Sequence, residues 1–158
     1  MSYGTDARIK TRSGITFGDL GLINDAALDA LIAGLNEQIS GLVDGYCGRD
    51  FAHHVDVTET LEGNGRPKLR LPGYPIISVA SVTVNGTVYA ATDYRVLPGG
   101  VLENRKGLRV WPYRKEIEIV YTYAYATPPG GVAAVVEDLA KAALQDAARG
   151  HAAQGVSS

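Results

Sequence analysis

The sequence predicts an α+β fold, with a helix toward each end of the chain and a region of short antiparallel strands, paired as hairpins, between them. Three observations predict it. Apolar residues recur at steps of three and four between Asn24 and Tyr46, and the same spacing returns after "TPPGG", Thr127 to Gly131. Between these stretches the period falls to two, the residues become β-branched and aromatic, and Gly, Pro and Asn punctuate them.

The opening stretch, "MSYGTDARIKTRSGITFGDLG", shows no strong period and is expected to run over the surface. From Asn24 the stripe Leu28, Leu31, Ile32, Leu35, Ile39, Leu42, Val43 and Tyr46 marks an amphipathic helix over about 24–48. Asn24 is placed to cap it, Asp25 suits the positive end of the macrodipole, and Gly48 lies just past its end. Asp29, Asn36, Glu37, Ser40 and Asp44 fall on the opposite, polar face. Gly34, Gly41 and Gly45 each weaken the helix by about 1 kcal/mol relative to Ala. They mark either a close approach of another backbone or simple tolerance.

The β-region, about 53–126, contains "HHVDVTETLEG", "KLRLP", "IISVASVTV", "TVYAATDYRV" and "EIEIVYTYAYA". Asn85-Gly86, between "SVTV" and "TVY", predicts a two-residue type I′ hairpin turn, because both residues tolerate positive φ. Pro72 and Pro75 hold the approach to that hairpin extended. In the last strand Ile117, Ile119, Tyr121, Tyr123 and Tyr125 share the more apolar face. Val132, Val135, Val136, Leu139, Ala140, Ala143, Leu144 and Ala147 then define a second helix over about 131–149, and 150–158, "GHAAQGVSS", reads as a mobile tail.

A chain of 158 residues, 46% hydrophobic and 20% charged, fits one globular domain over 1–158. The net charge of -2 gives no global electrostatic drive toward nucleic acid or anionic membranes. No apolar stretch approaches the roughly 20 residues that span a bilayer, and the first residues lack a signal-peptide order, so the expectation is a cytoplasmic protein when made. A single cysteine, Cys47, excludes an intrachain disulfide.

Residues with chemical potential do not converge. Cys47, His53 and His54 lack the further ligands that a zinc site needs, and adjacent histidines on a strand point to opposite faces. They read as a buried small hydrophobe and two surface imidazoles. "GNGRPK", Gly63 to Lys68, lacks the Lys-Ser/Thr ending and the following helix of a phosphate loop and reads as a hairpin loop. Glu116 and Glu118, beside Arg114 and Lys115, read as a solvated, charge-balanced edge. Arg105, Lys106, Arg109, Arg114 and Lys115 cluster near Trp111 and Tyr113, either as a phosphate-contacting patch or as an exposed loop with one anchoring tryptophan. No catalytic residue, metal ligand or cofactor is assigned.

The order of motifs is more informative. A helix running into "LVDGYCGRDF", then "TETLEGNGRPKLRLPGYPIISVASVTVNG", "TDYRV" and "IEIVYTYAYATPPGGVAAVVEDLAKAA", resembles the head-tail connector proteins (adaptor or head-completion proteins) of tailed bacteriophages, over roughly Asn24 to Ala148. The resemblance implies that the N- and C-terminal helices pack together with a small β-domain inserted. It implies a non-enzymatic virion protein of the neck, assembled in the host cytoplasm, forming a ring, a dodecamer where it matches a twelve-fold portal. Its implied partners are the portal protein, a stopper or tail-terminator protein, further copies of itself, and double-stranded DNA passing without sequence specificity; no membrane is involved. Under the resemblance Leu139, Leu144, Arg149 and His151, within a docking segment from about Val132 through Ser158, face the portal. Arg105, Lys106 and Arg109 face the DNA-filled lumen, and Tyr74, Tyr89, Trp111 and Tyr113 line subunit contacts. The alternatives are another neck component, a stopper or tail-completion protein, or a small cytosolic ligand-binding or enzymatic α+β domain.

Overall fold

A computed structural model describes residues 1–155. The chain forms two compact units, one built from Met1–Phe51 with 128–158 and the other from Ala52–Thr127. The fold is α+β, with the two ends of the chain joined in one helical unit and the strands forming the other.

The helical unit contains α1 (Asp6–Ser13), a short 3-10 turn (Gly18–Leu20), α2 (Asp25–Cys47) and α3 (Gly130–Gly155). Asn24 caps α2 by accepting from the Ala27 amide at 2.9 Å, and Gly48 ends it in the left-handed conformation. Helices α2 and α3 pack together, and α1 packs on both. Ile9, Leu28, Ile32, Val136, Ala140 and Leu144 are fully enclosed between them.

The opening segment therefore does more than run over the surface. It contributes Tyr3 and Ile9 to the core and an eight-residue helix. Asn36 and Ser40, expected on a solvated face, are buried because this segment brings backbone polar groups to them. The Tyr3 amide donates to Ser40 Oγ at 3.0 Å and the Gly4 amide to Asn36 Oδ1 at 3.1 Å, while Asn36 Nδ2 returns a bond to the Gly4 carbonyl at 2.8 Å. Glu137 on α3 is also buried, accepting from the Thr5 amide at 3.2 Å and pairing with Arg12 at 3.2 Å. A Cβ added at Gly34, Gly41 or Gly45 meets nothing within 4 Å, so no backbone packs there and the tolerance reading holds.

The β unit holds two antiparallel sheets around one core. Strands β1 (His54–Glu62), β3 (Ile76–Val84), β4 (Thr87–Tyr89) and β7 (Glu116–Tyr123) form the first, in the order β1-β7-β3-β4. Strands β2 (Lys68–Arg70), β5 (Tyr94–Leu97) and β6 (Val101–Asn104) form the second, in the order β2-β6-β5. Asn85 and Gly86 both take positive φ, 47° and 79°, and Val84 pairs with Thr87 across them, as a type I′ turn requires. Leu69 and Leu102 from the smaller sheet meet Val82, Val84, Ile117, Ile119 and Tyr121 from the larger one, with Trp111 and Leu71 completing the cluster.

Several local expectations change. "TVYAATDYRV" splits into β4 and β5 around a 3-10 turn at Ala91–Asp93, and β6 is a strand that the sequence pattern does not announce. "GNGRPK" is not a hairpin loop: β1 pairs with β7 and β2 with β6, so it carries the chain from one sheet to the other. A Cβ on its Gly63 would lie 1.8 Å from the Pro112 carbonyl oxygen, so the crossing depends on glycine there. Glu116 and Glu118 sit on an interior strand rather than an edge, since β7 is flanked by β1 and β3. The C-terminal helix continues through Gly155 where a mobile tail was expected; the rest of that tail, 156–158, lies outside the described residues.

Candidate interaction surfaces

The helical unit presents an apolar groove between the second half of α2 and the first half of α3. Leu42, Val43, Tyr46 and Cys47 line one wall and Gly131, Val132, Val135 and Leu139 the other, around about 600 Å3. The sequence stripe on α2 explains it. A helix of 3.6 residues per turn with so broad an apolar stripe cannot turn all of it toward α1 and α3. Leu28, Ile32 and Ile39 take the inner positions, which leaves Leu42 66% and Tyr46 95% exposed. On α3, Val136, Ala140 and Leu144 point inward while Val135 and Leu139, each 50% exposed, point out. Exposed apolar side chains collected in one groove are a surface for burying an apolar segment of another molecule.

The residues expected to face the portal divide accordingly. Leu139 lies in the groove. Leu144 does not face outward at all; it is fully enclosed in the helical core, on the same inward face of α3 as Val136 and Ala140. Arg149 and His151 line a different, more polar hollow with Gly14, Gly18, Asp19 and Gln145, where Arg149 pairs with Asp146 at 3.1 Å. The segment expected to dock thus lines two separate hollows.

Of the residues expected at subunit contacts, Trp111 is overturned by burial. It is completely inaccessible, with its indole Nε1 donating to the Leu102 carbonyl at 3.1 Å. From inside the core it anchors the exposed basic loop, so it is no aromatic platform beside those cations. Tyr89 is half-buried, stacked on Trp111 with ring centroids 6.2 Å apart. Tyr74 is also half-buried, with the Arg70 guanidinium 5.9 Å from its ring centroid. Tyr113 is exposed.

Among the lumen candidates, Lys106 is engaged. It pairs with Asp93 at 2.9 Å, which holds that carboxyl below the usual range, and its Nζ stands 4.5 Å from the Tyr89 ring centroid. Arg105 reaches Glu103 only at 3.8 Å, and Arg105 and Arg109 line a hollow with Pro67, Glu103 and Asn104. Cys47, expected to be buried, is exposed at the end of α2, and His54 stacks on Tyr123 at 4.6 Å. Among the described residues no three His, Cys, Asp or Glu side chains gather as a metal site, and no helix is long and apolar enough to cross a membrane.

The deepest ionisation shifts are structural. The Tyr3 hydroxyl is pushed up to about 12, first by burial and then by its bond to Asp44. Burial likewise raises Tyr121, whose hydroxyl accepts the Gly73 amide at 3.1 Å inside the β unit. Both rings are buried within their own units. Comparison of the chain with protein-family models and with curated proteins finds no match.

Proposed function

We propose that this protein is a structural component of the neck of a tailed bacteriophage: an adaptor that forms an oligomeric ring, binds the portal, and connects the DNA-filled head to the tail. The observation that carries the reading is the insertion. The two ends of the chain build one helical unit and 52–127 form a separate compact unit between them, in the order of the motifs that resemble head-tail connectors. A repeated head-to-tail contact around a closing rotation makes a ring from such a subunit without any catalytic group. In this reading the α2/α3 groove takes an apolar segment of the portal, through Leu42, Tyr46, Val135 and Leu139. Exposed Tyr113 stands at the contact between neighbouring copies, and Arg105 and Arg109 turn toward the passing duplex.

The test is binding to purified portal rings from the same phage source, followed by sedimentation. The wild type should co-sediment with the ring. Leu42→Asp with Leu139→Asp should abolish co-sedimentation while leaving the helical circular-dichroism signal intact, since both positions are half or more exposed. Undiminished binding by that variant would remove the groove from the reading, and a wild type that ignores the portal would remove the reading itself.

A further inference from the structure

The charge of this chain is divided between its units. The β unit carries nine Lys and Arg against seven Asp and Glu, a formal +2, whereas the helical unit carries six against ten, a formal -4. Within the β unit the division is sharper still. Leu69 and Leu102 turn inward to the core, so by the alternation of a strand Lys68, Arg70, Val101 and Glu103 turn outward. Arg95, paired with Glu103, and Leu97, paired with Val101, continue the same outer face on β5. Arg66, Arg105 and Arg109 border it.

Six exposed cations therefore gather there, Arg66, Lys68, Arg70, Arg95, Arg105 and Arg109, around one carboxylate, Glu103. Among the described residues only Arg105 of the six pairs with a carboxylate, and at 3.8 Å. The face is not smooth. Two adjoining hollows share Pro67: one of about 320 Å3 lined by Arg105 and Arg109, and one of about 430 Å3 lined by Arg66, Lys68 and Arg70.

We propose that this outer face of the β2-β6-β5 sheet binds the sugar-phosphate backbone of duplex DNA without reading its sequence. Five of the six cations are arginines, whose planar guanidinium matches phosphate oxygens two at a time. Their spacing is set by the sheet: Lys68 and Arg70 stand about 6.7 Å apart along β2, and Arg95 lies about 9.5 Å from Lys68 across β6. A polymer of regularly spaced anions fills several such positions at once. A single strand binds best where bases find rings to stack on. The outward positions of the three strands hold Lys, Arg, Val, Glu and Leu but no aromatic residue, and the nearest rings, Tyr74 beneath Arg70 and Tyr113 beside Gly65, stand only at the border, so the face itself offers phosphate contacts rather than a stacking platform. The inference deepens the neck reading by naming the face turned to DNA, which it extends from Arg105 and Arg109 onto the sheet; yet it concerns a property of the isolated chain.

The experiment is fluorescence anisotropy with a labelled 20-base-pair duplex of arbitrary sequence, titrated at several salt concentrations between 50 and 200 mM. The wild type should bind at low salt, with log K falling against log salt by about 0.9 per phosphate neutralised. Lys68→Glu with Arg70→Glu and Arg95→Glu should weaken binding at least tenfold and flatten the slope by about 0.9 for each phosphate that is no longer neutralised. The charge-matched control, Arg8→Glu with Lys141→Glu and Arg149→Glu on the helical unit, should retain both affinity and slope. The proposal is overturned if the wild type does not bind duplex at 50 mM salt, if the two triple variants lose affinity equally, or if polyglutamate of equal length binds as tightly as the duplex. A chain that passes this test but ignores the portal would sink the neck reading and leave the DNA-binding face standing.

Discussion

The Tyr3 hydroxyl lies 2.7 Å from one oxygen of Asp44 and donates to that carboxylate, while accepting the Phe51 amide at 2.9 Å. One buried oxygen thus ties the first residues of the chain to both the side and the end of α2. Tyr3→Phe removes the hydroxyl that bonds both Asp44 and the Phe51 amide, and the expected cost is about 1–3 kcal/mol in urea unfolding. Burial of this hydroxyl, with the bond to Asp44 second, also sets an alkaline limit. The unfolded tyrosine ionises near 10 and the folded one near 12, so the folded state binds more protons between those values and stability falls as pH rises through them. Tyr3→Phe should show a shallower decline from pH 10 to 12; an unchanged slope would mean that the hydroxyl is not held as described.

Arg12 and Arg149 both pair with carboxylates, but their partners differ. Glu137 is buried, its side chain 4% exposed, whereas Asp146 is 75% exposed. Removing Arg12 leaves a buried carboxylate with less compensation, so Arg12→Ala should destabilise by about 1–3 kcal/mol. Arg149→Ala should stay within about 0.5 kcal/mol. Chemical denaturation of the two variants side by side distinguishes them.

Trp111 is the single tryptophan and is wholly enclosed in the β unit. Its fluorescence should be blue-shifted in the native protein and move to longer wavelength as that unit unfolds. Trp111→Ala should cost about 3–5 kcal/mol through the void it leaves and the missing bond to the Leu102 carbonyl. An emission maximum equal to that of free tryptophan would contradict its burial.

At the β3/β4 turn, Gly86 takes φ of 79°. Gly86→Ala places a Cβ in the left-handed region at a cost of about 1–2 kcal/mol, although nothing crowds the position. Thermal unfolding should register this cost; a neutral result would point to a different turn.

The hairpin at Asn85-Gly86 and the helix beginning at Asn24 were legible because each depends on neighbours in sequence: two residues tolerant of positive φ, and a side-chain acceptor three residues before a free amide. Strand β6 was not. "VLEN" is four residues long and places Asn104 inward, where its amide donates to the Val110 carbonyl at 2.8 Å, so no apolar alternation announces it. Asn36 and Ser40 misled for a related reason. Residue type placed them outside, but their partners come from Tyr3 and Gly4, more than thirty positions away, and no local pattern reports that pairing. The surfaces are legible only in part. Leu139 and Arg109 enter through the resemblance, whereas Arg66, Lys68, Arg70 and Arg95 come onto one face only because β2 and β5 flank β6.

The most direct test of the neck assignment is quantitative mass spectrometry of purified virus particles from the source of this sequence, with the protein measured relative to the portal. The account predicts near-equal copy numbers, as a ring matched to the portal requires. Absence from particles, with abundance in the host cytoplasm, would contradict it.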